Sequence, residues 1–177
     1  MLSPAVKQFL AAARENDQTS FASFFNQTEA SKLPSAKEID QALVEAINSK
    51  SQTIVNYLCA LKGDRAPSKD GISAALISVE VKNCSVAILK QLCEVAQNKP
   101  SREALSKALI KFAISNDWDC VDYLYSLTEG NELNQNAIDT ALDELSRKNQ
   151  WKLVQKLCSH RYNKPTEAQM TILLDRA

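Results

Sequence analysis

Ser35–Pro67 reads SAKEIDQALVEAINSKSQTIVNYLCALKGDRAP, and the rest of the chain is variations on it. Its opening pair, Ser35 with Glu38 three residues on, is a capping box in which each side chain satisfies an otherwise unpaired backbone N–H. Ile39, Leu43, Ala46 and Ile47 then recur at helical spacing. A polar break from Asn48 to Gln52 interrupts the stripe, and Ile54, Val55, Leu58, Cys59 and Leu61 begin a second one. Gly63 stands where a left-handed helix stop is expected, and Pro67 forbids continuation. The stretch is a helix–turn–helix hairpin. Neither helix alone can bury its stripe, so the hairpin needs neighbours.

The sequence supplies them. Pro34, Pro67 and Pro100 are each followed by serine and recur at a step of 33. The pairs Phe9-Leu10, Ala42-Leu43, Ala75-Leu76, Ala108-Leu109 and Ala141-Leu142 advance by the same step throughout. The second-helix anchors Phe25, Leu58, Leu124 and Leu157 keep one fixed distance from the leucine of their own pair. Leu92 stands one position further from Leu76, which places one extra residue in the third inner turn. A fixed period of this size is the signature of stacked supersecondary units. The expectation is an all-α, right-handed solenoid of about five antiparallel helix hairpins plus a C-terminal half-repeat. It forms one domain over 1–177, with units 3–34, 35–67, 68–100, 101–134 and 135–165 and a half-unit 166–177.

Composition narrows the function. Hydrophobic residues make up 45% of the chain, enough for a continuous inter-helix core. Lys plus Arg equals Asp plus Glu, 21 against 21. Zero net charge argues against a general nucleic-acid binder, whose affinity rests on neutralising phosphates, and against a polybasic membrane anchor. No apolar window is long enough to span a bilayer, and the N-terminus reads as an amphipathic helix rather than a signal peptide. Cys59, Cys93 and Cys158 follow the second-helix anchors, where cysteine behaves as a small buried hydrophobe. With five cysteines, an odd number, no disulfide framework is expected, and a reducing cytoplasm is the natural compartment.

Catalytic chemistry is not expected. The one histidine, His160, is close to Cys158 in sequence, but the buried column points that thiol inward, away from a working dyad. There is no clustered Cys/His set for a metal and no glycine-rich phosphate loop, so no catalytic, metal or cofactor site is assigned. One pair stands apart. Trp118 and Trp151 are one full period apart, in a polar inner-turn column that carries Thr19, Gln52 and Ser85 in earlier units. The rings either pack against neighbouring turns or form an aromatic recognition strip.

Ala42-Leu43, Ala46, Ile54-Val55, Leu58-Cys59 and Gly63-Asp64 together resemble an ankyrin repeat, which shares the period. The likeness extends over five units, through Val121/Leu124 and Val154/Leu157. Thr-Pro-Leu-His starts are absent, as is the glycine between helices, near which Lys50, Asn83, Asn116 and Asn149 stand. A divergent, mostly helical ankyrin-like array with short loops is therefore expected. Tetratricopeptide and pentatricopeptide repeats fit less well, lacking the Trp/Gly/Tyr pattern and the basic charge respectively. The resemblance implies a non-catalytic module that binds another protein through first helices and inter-repeat loops: an adaptor, an inhibitor or a bacterial effector. Carried over by column, the partner-facing residues are Lys37, Glu38, Asp40, Asp70, Lys82, Glu103, Ser106, Asp139, Arg147 and Lys148. The location is then cytoplasmic, in a host cell if the chain is a secreted effector. A structural or oligomerising role is the alternative, with Met170, Ile172, Leu173 and Leu174 of the half-unit as a self-associating edge. An RNA-binding repeat or an enzyme is a minor one.

Overall fold

The computed structural model describes residues 4–25, 34–81, 84–127, 132–159 and 171, except for the side chains of 125 and 132–137. All regular structure among them is helical, in agreement with the all-α expectation. The residues group into two units, 1–101 and 102–177. The first holds α1 (Pro4–Glu15), α2 (Gln18–Ser23), α3 (Ala36–Asn48), α4 (Gln52–Ala60), α5 (Lys69–Ser78) and α6 (Val86–Lys90), the last continuing as a π-helical turn, Gln91–Val95. The second holds α7 (Arg102–Ile114), α8 (Trp118–Ser126), α9 (Glu132–Arg147) and α10 (Trp151–Ser159). Within the first unit α1 packs on α3 and α3 on α5; within the second α7 packs on α9.

Four hairpins reverse through a single left-handed residue: Asn16, Lys50, Asn116 and Asn149, with φ of 57°, 61°, 61° and 57°. Around Lys50 its own N–H donates to Ile47 O at 3.1 Å, and the Ser51 N–H donates to Ala46 O at 2.8 Å. The same pair of bonds recurs at Asn116-Asp117, at 3.1 and 3.0 Å, and at Asn149-Gln150, at 3.0 Å each. This is the Schellman arrangement, and it satisfies carbonyls that a helix end leaves orphaned. Asparagine replaces the glycine that such a turn usually takes, because its short polar side chain tolerates the left-handed region.

The turn residues also correct the register of the first unit. Lys50, Asn116 and Asn149 keep to the period, whereas Asn16 lies one position further from Lys50 than the period requires. Phe24 is displaced from Leu58 by the same one position, and it takes the buried anchor place instead of Phe25, which is half-buried. Phe9 stacks on Phe21 at 4.9 Å and meets Phe24 edge-on at 5.5 Å, closing this unit with aromatic packing. In the third hairpin α5 has 10 residues where α3 has 13, and Val79 turns to ψ 123°. The extra residue predicted there falls between α5 and Ser85, the N-cap of α6.

Of the stripes read from sequence, Ile39, Leu43, Ala46, Ile47, Ile54, Val55, Leu58 and Cys59 are at 0–1% exposure, whereas Leu61 is half-buried, because α4 ends at Ala60 and Leu61 is extended. Polar side chains join successive hairpins. Asp40 of α3 accepts the Ser68 N–H at 2.7 Å and its hydroxyl at 2.5 Å. One period on, Ser73 of α5 accepts the Ser101 N–H at 2.8 Å. Ser35 begins its hairpin differently, donating its N–H to Glu38 at 2.7 Å as the capping box predicts. Ser51 Oγ–H donates to Asn16 Oδ1, and Ser49 Oγ–H donates to Ala13 O at 2.9 Å, tying the second inner turn to the first. Arg14 holds Glu45 with two bonds, 2.8 and 3.1 Å, and this hydrogen bonding keeps the Glu45 carboxyl below the usual carboxylate range.

Gly71 belongs to the Asp40 contact. A Cβ there would lie 2.0 Å from Asp40 Oδ1, so the residue that weakens the start of α5 also makes room for the carboxylate. Two measurements check these assignments. Lys50→Gly should raise stability by about 1 kcal/mol in urea unfolding, because lysine is strained at φ 61° and glycine is not. Asp40→Ala should cost about 1.5–3 kcal/mol. Gly71→Ala should destabilise both the parent and the Asp40→Ala variant, because the Cβ of residue 40 would lie 2.6 Å from the new methyl group, but it should cost less in the variant, where the carboxylate is gone. Simple additivity of the two changes would show that the carboxylate does not set this packing.

Candidate functional site

Trp118 and Trp151 each occupy the first position of a second helix, α8 and α10, two residues after the left-handed asparagine of the preceding turn. Both are half-buried. Trp118 is held at two points. Its Nε1–H donates to Asn116 Oδ1 at 2.6 Å, and Lys156 Nζ of α10 sits 4.5 Å from its ring centroid. Cation–π attraction of this kind contributes about 0.5–1 kcal/mol near a surface. The Asn116 side chain thus serves the indole while its backbone serves the turn. The two tryptophans stand out in the sequence, but Lys156 does not, since it lies in the next hairpin and off the tryptophan column.

The charged candidates divide by what they touch. Lys37 and Asp70 are exposed near the starts of α3 and α5. Glu38 caps α3, and Asp40 is half-buried against Ser68, so both carboxylates serve the fold. Glu103 pairs with Lys107 at 2.6 Å, Arg147 with Asp143 at 2.8 Å and Lys148 with Glu144 at 3.5 Å, all one helical turn apart. Such exposed pairs contribute little to stability, so a partner can recruit these charges at little cost. Ser106 and Asp139 are half-buried in the column of Asp40 and Ser73. Lys82, His160 and, apart from position 171, the half-unit 166–177 lie outside the described residues.

Two shallow grooves accompany these residues. In the first unit Phe21, Ala22, Ile54 and Tyr57, with Thr19 and Thr53, line one of about 290 Å³ between α2 and α4. Tyr57 is 39% exposed there and rests against Phe25 at 4.9 Å. In the second unit Ile110 and Ile114, rimmed by Lys107, Lys111 and Glu144, line one of about 360 Å³. Among the described residues no group of three His, Cys, Asp or Glu side chains is placed to hold a metal ion. No helix among them is long and apolar enough to cross a membrane.

The cysteine columns are mostly as read. Cys59 and Cys93 are buried, and burial pushes both thiols up to about 12. Cys158 is half-buried rather than buried, and its thiol is raised by the same cause. Cys120, in the first turn of α8, is also buried, at 1% exposure. Comparison with known proteins gives no match to a family model, to a curated protein or to a solved structure.

A thiol titration tests this placement. At pH 8 a thiol with a pKa of about 12 is roughly 1 part in 10,000 thiolate, so Cys59 and Cys93 should stay unlabelled in the native protein and react on unfolding. Half-exposed Cys84 should label well before either. Rapid native labelling of Cys59 would place α4 wrongly.

Proposed function

We propose that the chain is a non-catalytic protein–protein interaction module, working in the cytoplasm as a divergent ankyrin-like array. In this reading the five hairpins and the half-unit form one right-handed solenoid. Supporting it are the left-handed turns repeated at Asn16, Lys50, Asn116 and Asn149 and the pairwise packing of first helices within each unit. Stacked hairpins present equivalent positions at regular intervals, and this suits an extended partner.

The observation that carries the proposal is the pair Trp118 and Trp151, half-exposed in equivalent positions of successive hairpins. Tryptophan is concentrated among residues that dominate binding energy, and a rigid indole with a polar rim loses little entropy on contact. Asp119 and Lys152 supply that rim, both exposed next to the rings. Lys37, Asp70, Glu103, Arg147 and Lys148 provide further polar contacts from first helices and the turns that follow them.

Binding and stability separate the two roles of tryptophan. With immobilised protein as bait, Trp118→Ala and Trp151→Ala should lose specifically captured partners while shifting the melting temperature by no more than a few degrees. A ring that merely packs costs about 3–5 kcal/mol when truncated from full burial. Large melting shifts with unchanged capture would remove the tryptophan face from the binding surface.

A further inference from the structure

We infer that the α8–α10 face docks on the same face of a second copy of this chain, through a two-fold axis running parallel to the two helices and midway between them. The inference rests on reading the tryptophan face as a recognition surface, and it names the partner. It stands on how charge is divided between two equivalent helices. On α8 the exposed charges are Asp119 and Asp122, both acidic; on α10 they are Lys152 and Lys156, both basic. α8 and α10 each follow the same kind of left-handed turn, and their first helices, α7 and α9, pack side by side. They therefore run in the same direction, and Lys156 reaching the Trp118 ring puts them next to each other.

The geometry follows from the period. Rotation about such an axis turns the face over, exchanges α8 with α10 and preserves height along the helices. Every residue of α8 then meets the residue one period later in the partner copy's α10. Trp118 meets Trp151, and Asp119 meets Lys152. Asp122 meets Gln155, with Lys156 next to it. The contact is isologous, so each of these pairings occurs twice. Acid on α8 thus faces base on α10, whereas a two-fold axis perpendicular to the helices would lay each helix antiparallel on its own copy, acid against acid on α8 and base against base on α10.

Two further facts suit this occupant. Among the described residues Asp119 and Lys152 make no ion pair within the chain, so both charges are available to a second copy. Trp118 is already fixed by Asn116 and Lys156, so little side-chain freedom remains to be lost on docking. A strip two short helices wide is small for an interface, and the dimer is therefore weak, with dissociation on the order of micromolar.

Sedimentation equilibrium on the full chain, over a concentration series and at two salt levels, tests the inference with charge reversals. The parent should show a monomer–dimer equilibrium that shifts toward monomer as salt is raised. Asp119→Lys alone and Lys152→Asp alone should each weaken association about tenfold or more, and the double reversal should restore it to within about threefold of the parent. Loss of folding does not explain such a pattern. Near a helix N-terminus Asp119→Lys is mildly destabilising and Lys152→Asp mildly stabilising, so their melting shifts are opposite in sign while their effects on association are the same.

A parent that stays monomeric up to about 1 mM overturns the inference, and so does a dimer that the double reversal fails to restore. Melting of Trp151→Ala then locates the failure. An unchanged melting temperature leaves the tryptophan face as a recognition surface for a different protein. A large drop shows that Trp151 packs, and the recognition reading falls with the dimer.

Discussion

The hairpins at Asn16, Lys50, Asn116 and Asn149 all depend on reversing direction through one left-handed residue. A helix that stops and restarts across a single residue at φ near 60° leaves almost no freedom in the angle or phase between the two helices. The two Schellman bonds consume carbonyls that would otherwise need water, so the turn is satisfied without a longer loop. Phase fixed in this way keeps side chains in columns from one hairpin to the next. Buried stripes can then meet, and Trp118 and Trp151 occupy equivalent places.

Much of this was legible because it is local. Helix starts at Ser35 and Ser68 and stripes such as Ile39/Leu43/Ile47 follow from side-chain chemistry within one or two turns. Gly63 is left-handed at φ 64°, but it opens a short 3-10 turn and does not stop α4, which has already ended at Ala60 with Leu61 extended. Even the additional residue of the third hairpin was visible as a change of spacing before Leu92. What escaped was either degenerate or distant. Three phenylalanines crowded together, Phe21, Phe24 and Phe25, leave a helical stripe able to slide by one, and only packing against Phe9 and Tyr57 selects the register. Lysine carries no mark of a left-handed conformation, so Lys50 gave no sign of its role.

Asp40 shows the same limit at the candidate site. A carboxylate in the first turns of an amphipathic helix has the sequence signature of a solvated face. Its partner Ser68 is distant in sequence, and nothing within α3 announces it. The signal that was available is the column itself: Asp40, Ser73, Ser106 and Asp139 are all short side chains with an acceptor oxygen, each one period after the last. Charge alone groups Asp40 with Lys37 and Asp70. The partner of each backbone N–H at a helix start separates them.

The bonds from Asp40 to Ser68 and from Ser73 to Ser101 also have a direction. In each the acceptor belongs to the earlier segment and the donor to the later one, so at these two helix starts the later segment leans on what precedes it. A chain emerging from the ribosome makes its N-terminal part first. By the time Ser68 emerges, Asp40 has already left the ribosome, and the same is true of Ser73 when Ser101 follows. Growth can thus proceed by adding each segment to one already made. Opening α3 correspondingly exposes the start of α5.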